Sequence, residues 1–410
     1  MPVVLYRNIG LTDIDTGGQT STVGEPSVAN IANRIFYSGN WYATKSFDSG
    51  QTWTLVDPFS ALPPVDGGFC CDQTIIFESS RNIMVWLLQY IKQNGTNTLR
   101  VAISPGATLQ NNDWYWWDLT PEGVNPDWDG EWFDYNHAAT SENFLYVGTN
   151  VFNAANDLFT RSVLFRFPLD ALANATPLNY SYFSTTDNFS LRCAQGAGDV
   201  MYFGSHNTTA QIRVYAWPEN GNGISFNDIN ITPWSLNMPY SAPGPDNRNW
   251  LGRCDPRITG GAVADGTIMF AWTVNALGNR PLPHVRVVRI NAADMTVINE
   301  PDIWSANHAY AYPALSPNRR DMIGISLFRG GGDSHPGHVV GVRDEGQGTW
   351  VLRASQNGTD GPIDGKWGDY LGIAPFSETG YSWFACGYTL QGGGDRTDIE
   401  PRAVQFWYRS

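Results

Sequence analysis

A tyrosine, a histidine and two arginines of the chain are of the types that proton abstraction beside a carboxylate requires. Tyr135 and His137 end a segment rich in acids and aromatic rings, and an imidazole titrates near neutral pH, as a general base must. Arg192 and Arg257 would hold a carboxylate through paired hydrogen bonds. Tyr135 or Tyr312 would donate or relay a proton. These groups suit β-elimination from a uronic acid: a cation neutralises the carboxylate, a base removes the adjacent C–H proton and an acid protonates the leaving oxygen.

Paired carboxylates would support a different reaction, the hydrolysis of a glycosidic bond. The candidates are Asp72 with Asp255 or Asp369, and also Glu25. A retaining hydrolase keeps its two carboxyl groups about 5 Å apart, and an inverting one about 6.5–9.5 Å. A third alternative is a glycan-binding protein without catalysis. The candidate residues differ from one repeat to the next, which favours a single asymmetric site over the repeated sites of a lectin.

Further ring and charged residues are candidates for binding a substrate. Trp128 and Trp132 would stack on sugar rings, since they lie among acids just before His137. The other candidates stand at the starts of strands or in long loops, positions that a repeating architecture would bring to one end of the molecule: Arg253, Asp255, Trp367, Asp369, Tyr370, His206, His284, His335 and His338. Together with His137, these positions hold five of the six histidines of the chain.

The sequence predicts no cofactor, and a calcium site is the alternative. Asn125, Asp127 and Asp129 have the opening spacing of a calcium loop. Asn136 stands where a bidentate carboxylate would close such a loop. We therefore predict no cofactor, with calcium at the first three residues as the alternative.

The five cysteines are too few, and odd in number, for a disulfide framework. Buried free thiols are one interpretation. Alternatively, the adjacent Cys70 and Cys71 would form a disulfide at the site, and Cys193 and Cys254, which follow arginines at equivalent positions of neighbouring repeats, would bridge those repeats.

The repeats supply the frame that would bring these residues together. Apolar second strands recur roughly every 50 to 65 residues, and 42 glycines and 25 prolines fit many short strands with tight turns. We predict an all-β chain that forms one domain, 1–410, a seven-bladed β-propeller of four-stranded blades. The N-terminal strand 3–7 would complete the last blade and close the ring. The predicted blades are 25–57, 70–121, 133–183, 190–231, 254–304, 309–358 and 366–410 with 3–7.

One turn motif in the first repeat points to the same architecture. Ser46, Asp48, Gly50 and Trp53 have the S-x-D-x-G-x-T-W spacing, in which short polar side chains hold a turn, glycine takes a positive φ and a tryptophan covers the turn. This motif resembles the Asp box, or BNR repeat, of sialidase-like β-propellers, where it is structural and carries no chemistry. The resemblance implies a site at the end of the propeller opposite the Asp boxes, where inner strands start. A weaker resemblance, in blade number, size and a His/Tyr/Arg mouth, is to seven-bladed lyases of uronic-acid polysaccharides and to enzymes that cleave rhamnose–glucuronate linkages.

The charge and composition narrow the classes of partner. A net charge of −14 argues against nucleic acid, which needs a basic face, and no apolar run is long enough to span a membrane. Seven N-x-S/T sites indicate secretion. We expect an extracellular monomer, in a mature form without a signal peptide. We expect it to act on an acidic poly- or oligosaccharide as a lyase, with a glycoside hydrolase or a binding protein as the alternatives.

Overall fold

Seven four-stranded antiparallel sheets account for nearly all of the secondary structure. A computed structural model describes residues 2–221 and 223–409, and the sheets are counted over these residues. Six of the sheets take four consecutive strands each, and the seventh combines the last three strands with the first strand of the chain. The predicted outer limits at residues 1 and 410 fall outside the described residues.

The strands are defined here in chain order. They are β1 (Val3–Gly10), β2 (Ser27–Ile31), β3 (Arg34–Ser38), β4 (Ala43–Ser46), β5 (Thr54–Val56), β6 (Phe69–Glu78), β7 (Ile83–Tyr90), β8 (Leu99–Pro105), β9 (Tyr115–Leu119), β10 (Glu131–Thr140), β11 (Phe144–Asn153), β12 (Phe159–Pro168), β13 (Ser181–Thr185), β14 (Arg192–Cys193), β15 (Val200–Thr208), β16 (Gln211–Pro218), β17 (Ser225–Asn230), β18 (Ile258–Ala264), β19 (Thr267–Val274), β20 (His284–Asn291), β21 (Val297–Asn299), β22 (Ala309–Pro317), β23 (Ile323–Gly331), β24 (Ser334–Asp344), β25 (Thr349–Gln356), β26 (Ile373–Pro375), β27 (Trp383–Leu390) and β28 (Ile399–Tyr408).

The sheets form a closed ring. Blade 1 is β2–β5, blades 2 to 6 follow with four strands each, and blade 7 is β26–β28 with β1. The first strands of neighbouring blades contact one another around the whole ring, and the last of these contacts joins β26 to β2. Each blade repeats the same antiparallel order, so the seven first strands start at one end of a central channel, which we call the mouth. The predicted seven-bladed propeller is confirmed.

The N-terminal strand closes the ring as predicted. Val3 pairs with Tyr408 and Gly10 pairs with Arg402, with one register shift between Leu5 and Arg7. The strand continues to Gly10, beyond the predicted end at residue 7. Because β1 occupies the outer edge of blade 7, the two ends of the chain are held in one sheet and β28 has no free edge.

Burial on both faces explains why the second strands are easy to recognise. Every residue of β7 and of β27 is buried, because each of these strands lies between two neighbouring blades. Strands covered on both faces contain continuous apolar runs, whereas half-exposed strands alternate. The fourth strand β17 lies at the outside and has five exposed residues of six.

Turns and short helices connect the strands. In the turn between β4 and β5, the Ser46 hydroxyl accepts from the Gly50 N–H at 2.8 Å, and Asp48 Oδ1 accepts from the Thr52 N–H at 2.9 Å. Trp53 lies against Tyr37 with ring centroids 6.5 Å apart. The helices of the described residues are α1 (Asp13–Thr16), α2 (Pro121–Val124), α3 (Leu169–Ala173) and the 3₁₀ turns Leu109–Asn111, Pro126–Trp128 and Arg396–Asp398. None of the helices in this part of the chain is long and apolar enough to cross a membrane.

Candidate active site

Charged side chains from four blades meet at the mouth of the channel. Glu25 precedes β2, Asp72 lies near the start of β6, and Asp369 precedes β26. Arg253 and Arg257 precede β18. These positions belong to blades 1, 2, 7 and 5, and the closed ring therefore brings together side chains that are far apart in sequence.

The buried carboxyl groups of Glu25 and Asp72 are neighbours at the mouth, and each affects the pKa of the other. Glu25 is 3 % and Asp72 8 % exposed. Burial disfavours a charged carboxylate, so it raises the pKa of Asp72 to about 7 and the pKa of Glu25 well above its ordinary value. The negative charge of Asp134 adds to the rise in the pKa of Asp72. The pair therefore retains a proton near neutral pH.

The backbone around the pair fixes its geometry. Glu25 has a φ of 42°, in the left-handed region that most side chains avoid, and it is followed by Pro26, which restricts its ψ. Gln73 in β6 donates from its side-chain amide to the carbonyl oxygens of Gly39 at 2.9 Å and Tyr42 at 3.1 Å, both in blade 1. The strand that carries the aspartate is thus held against the blade that carries the glutamate.

A third carboxylate is held by two arginines. Arg253 Nη2 donates to Asp369 Oδ2 at 3.0 Å, and Arg257 Nη2 lies 3.7 Å from the same oxygen. Arg257 also pairs with Asp255 at 2.7 Å. Burial raises the pKa of Asp369, and the positive charges of Arg257 and Arg253 oppose that rise. Asp369 differs from Glu25 and Asp72 in its direct contacts with the two guanidinium groups, which favour its charged form.

Two tyrosines lie beside these carboxyl groups. The rings of Tyr135 and Tyr370 are 5.6 Å apart, and the Arg257 guanidinium lies 3.9 Å from the centroid of the Tyr135 ring. Burial raises the pKa of both phenols, so both keep their protons. Neither hydroxyl has a hydrogen-bond partner among the described residues. Tyr135 also has a φ of 59°, at a bulge in β10. Two buried donors without partners beside charged groups are suited to a bound ligand.

The structure contradicts the predicted base and one predicted acid. His137 is buried between blades 3 and 4, where its Nε2 accepts from the Cys193 N–H at 3.5 Å. That contact occupies the lone pair, and burial lowers the pKa of His137 well below its ordinary value. The Tyr312 hydroxyl is also buried and donates to the carbonyl oxygen of Trp367 at 3.2 Å. Both side chains make contacts between blades, His137 with the Cys193 N–H and Tyr312 with the Trp367 carbonyl oxygen.

Two other predicted histidines have structural contacts. His338 is fully buried between the hydroxyls of Ser326 at 2.8 Å and Ser355 at 2.6 Å. His284 is buried beside Arg280, 3.2 Å away, and burial lowers its pKa to about 4. Both rings are therefore engaged by protein groups, and the prediction that they bind a substrate gains no support from these contacts.

The two remaining predicted histidines lie in strands outside the carboxylate cluster, His206 near the end of β15 and His335 at the start of β24. His206 is held between the rings of Trp234 and Trp272, each 4.9 Å away, and its Nε2 lies 2.9 Å from the Pro256 carbonyl oxygen. Its pKa is lowered to about 4 by burial. His335 Nδ1 lies 3.7 Å from Asp246. The histidines therefore do not form one site, although they belong to the same end of the propeller.

The predicted tryptophans are also engaged by protein contacts. Trp128 is buried beneath the Arg161 guanidinium, 4.7 Å from its ring centroid. Trp132 is half-buried and is covered by the Lys92 ammonium group at 4.9 Å. Trp367 is fully buried beside Tyr388, with ring centroids 4.7 Å apart. The prediction that Trp128 stacks on a sugar is thus contradicted, because the faces of its ring are buried. Trp367 is a core residue that packs against Tyr388.

Arg192 lines the central channel. A cavity of about 300 Å³ in the channel is lined by the first strands of six blades, and Arg192, His137 and Tyr370 are among its lining residues. The prediction that Arg192 and Arg257 clamp a carboxylate of the substrate stays a prediction, and the charges of both arginines act on Tyr135. Arg253 is the second arginine beside Asp369.

The calcium prediction gains no support from the geometry. Asn125 Oδ1 accepts from the Asp127 N–H at 3.0 Å and so caps the following 3₁₀ turn. Asp127 and Asp129 are exposed. Over residues 2–221 and 223–409, no group of three or more His, Cys, Asp or Glu side chains is arranged to hold a metal ion.

The cysteines follow one of the two predicted pairings. Cys70 and Cys71 are joined by a disulfide bond, immediately before Asp72. Cys193 and Cys254 are free and buried, so the predicted bridge between their blades is wrong. Cys193 lies within the first strand β14, and Cys254 precedes the first strand β18.

Sequence reasoning missed the contribution of Asp134. Its Oδ1 accepts from the Gln89 side-chain amide at 2.9 Å, and its charge raises the pKa of Asp72. The sequence feature that could have identified Asp134 as a site residue is its position directly before Tyr135, in the first strand β10.

Comparisons with known proteins give distant structural matches only. No protein-family model and no curated protein matches the chain. The matching solved structures include the GH93 α-L-arabinofuranosidase of Fusarium graminearum in complex with arabinobiose (10 % identity, 98 % of this chain and 97 % of that chain, TM-score 0.48). They also include the α-L-arabinanase of Penicillium chrysogenum, at 8 % identity over 98 % of this chain and 98 % of that chain with a TM-score of 0.46. The NanB sialidase of Streptococcus pneumoniae matches at 12 % identity over 75 % of this chain and 66 % of that chain with a TM-score of 0.43. The predicted resemblance to sialidase-like propellers is confirmed as one of fold. At these values it does not extend to chemistry.

Proposed function

We propose that the protein is a carbohydrate-active enzyme, a glycoside hydrolase that cleaves a poly- or oligosaccharide at the propeller mouth. The observation that carries the proposal is the burial of Glu25 and Asp72, whose raised pKa values favour a retained proton, at the same mouth as Asp369, which Arg253 and Arg257 contact. Glycoside hydrolysis needs one carboxyl group that is protonated and one that is ionised.

The roles follow from the two environments. The Glu25–Asp72 pair donates its proton to the glycosidic oxygen as the bond to the leaving sugar breaks. Asp369, whose charged form the arginines favour, faces the positive charge that develops on the sugar ring. The unpartnered hydroxyls of Tyr135 and Tyr370 hydrogen-bond to the substrate.

The substrate class rests on two features. The resemblance to sialidase-like propellers favours a glycan. The Arg253 side chain, which is 45 % exposed, presents a positive charge at the mouth and favours a glycan that carries carboxylate groups. We do not carry the lyase prediction forward, because His137 is buried with its Nε2 directed at the Cys193 N–H, and burial lowers its pKa. We also propose that the protein works outside the cytosol, since its one disulfide needs an oxidising compartment to persist.

The test is a panel of neutral and uronic-acid polysaccharides incubated with the wild-type protein and two variants. Hydrolysis releases reducing ends without the ultraviolet absorbance of an unsaturated sugar, whereas elimination produces both. We expect Asp369→Asn and Glu25→Gln to lower kcat by about 100-fold or more, on the scale of a lost catalytic group.

A matched variant separates the site from general effects of amide substitution. Asp265 is exposed in the turn between β18 and β19, at the end of the propeller opposite the mouth. Asp265→Asn should keep wild-type activity. Release of an unsaturated product, or full activity in Asp369→Asn, would refute the proposal.

A further inference from the structure

The disulfide lies in a bulge that separates two fixed points of β6. Phe69 pairs with Tyr90 and Gln73 pairs with Leu88, so the partner strand places one residue opposite three residues of β6. Those three residues are Cys70, Cys71 and Asp72. A bulge of this kind redirects side chains relative to a regular strand.

Both ends of the bulge are anchored. The Phe69 ring is buried and packs edge-on against Phe59 at 5.2 Å and Tyr90 at 6.4 Å. At the other end, Gln73 Oε1 accepts from the Trp86 indole N–H at 2.9 Å, and its amide donates to blade 1. The conformational freedom of the segment is therefore confined to the three residues between the anchors.

The disulfide removes most of that remaining freedom. A bond between adjacent cysteines closes a ring of eight atoms that includes their shared peptide, so it restricts the backbone torsions on both sides of that peptide. The next residue is Asp72, and the direction of its side chain depends on those torsions. Ordering the backbone of a residue costs conformational entropy, and Asp72 must be held next to a second buried carboxyl group, so a ring that restricts the preceding torsions reduces that cost.

We propose that the Cys70–Cys71 disulfide is a positioning element that holds Asp72 beside Glu25. The catalytic consequence rests on the proposed hydrolase function, whereas the effect on the carboxyl pair does not. Reduction opens the ring and releases Asp72 towards water. A phosphine supplies the two electrons: the S–S bond breaks, two thiols form, and the phosphine takes up an oxygen atom from water.

The chain allows this bond to be reduced selectively. The other cysteines, Cys193, Cys254 and Cys386, are free and buried, so the one disulfide of the chain is the only bond that a phosphine breaks. Reduction raises the count of thiols in the denatured protein from three to five.

The experiment is a titration of the side-chain carboxyl groups by ¹³C NMR, on oxidised protein, reduced protein and the C70A/C71A variant. Asp72→Asn identifies the Asp72 signal. In the oxidised protein we expect Asp72 to titrate near pH 7. In the reduced protein and in C70A/C71A we expect its midpoint to fall by more than about one pH unit, because water then solvates the charged form. Asp302, buried beside Arg286 in blade 5, should keep its titration in all samples.

Two results would overturn the proposal. One is an unchanged Asp72 titration in both the reduced protein and the double variant. The other is global unfolding of both, since a positioning role is local. On the glycan found by the panel, reduction should lower kcat at least about ten-fold with little change in KM. If no glycan is cleaved but the Asp72 titration moves, the positioning role stands and the proposed function fails.

Discussion

Replacing Asp72 by asparagine should increase the free energy of unfolding and should also abolish the proposed activity. The pKa of Asp72 is raised in the folded state, so the folded protein binds a proton more tightly than the unfolded chain does. A carboxyl group with a raised pKa contributes its full stability below the unfolded pKa, and that stability is lost as the pH rises through the folded pKa. Asparagine does not ionise, and the variant therefore avoids this loss.

The magnitude follows from the size of the shift. The pKa of Asp72 moves from an ordinary 3.8 to about 7. Each unit corresponds to about 1.4 kcal/mol, so ionising Asp72 costs the folded state about 4 kcal/mol at full effect. Because Glu25 and Asp72 each affect the pKa of the other, we expect a measured gain of about 1–4 kcal/mol at a pH about one unit above 7.

Urea unfolding followed by tryptophan fluorescence measures this difference. Wild type and Asp72→Asn should have equal free energies of unfolding at about pH 4, where the aspartate is protonated in the folded state, and should diverge as the pH rises. Asp265→Asn, on the exposed turn, should follow the wild type throughout. A variant that is equally or less stable than the wild type on the alkaline side, with the same dependence on pH, would refute the assignment of a buried, protonated carboxyl pair.

Three further predictions concern the same site and the ring that carries it. The kcat for glycan hydrolysis should fall as the pH rises through about 7, because the pair then loses its retained proton; a rate that rises over this range would contradict the acid role. Arg257→Lys keeps the positive charge but loses the planar contact with the Tyr135 ring and the pairing with Asp255, and should lower kcat/KM about ten-fold or more in steady-state assays. Deleting residues 2–10 removes β1 and exposes the edge of β28, and should lower the urea midpoint and promote aggregation in light scattering; an unchanged midpoint would show that ring closure does not need this strand.

The sequence allowed the frame to be predicted because the frame depends on repetition. Second strands covered on both faces are continuous apolar runs, and seven of them at a regular period leave few architectures other than a propeller. The closing strand was recognisable because Val3, Val4 and Leu5 form a short apolar strand at the N-terminus, while the last repeat had only three strands. Both inferences use patterns that are local in sequence.

The composition of the site was less predictable because it depends on side-chain direction. His137 and Tyr135 are two residues apart in β10, yet a bulge between Asp134 and His137 changes which face each presents. Tyr135 reaches the mouth, and His137 is buried between blades. Sequence does not reveal the position of such a bulge.

The pairing of the carboxyl groups could not be predicted from the sequence for a related reason. Glu25, Asp72 and Asp369 were all recognisable as residues at strand starts, and so as hydrolase candidates. Which of them are neighbours and which faces arginines depends on distances of a few ångströms across the channel. Those distances are set by the packing of whole blades, and no pattern along the chain records them.

The central claim, that the Glu25–Asp72 pair is the general acid, is tested most directly by varying the leaving group. Glu25→Gln and Asp72→Asn would each be assayed on the cleaved glycan and on a nitrophenyl glycoside of the same sugar, whose leaving group departs without protonation. Our account predicts that both variants lose activity on the glycan and retain most of it on the nitrophenyl glycoside. Equal losses on the two substrates would contradict it.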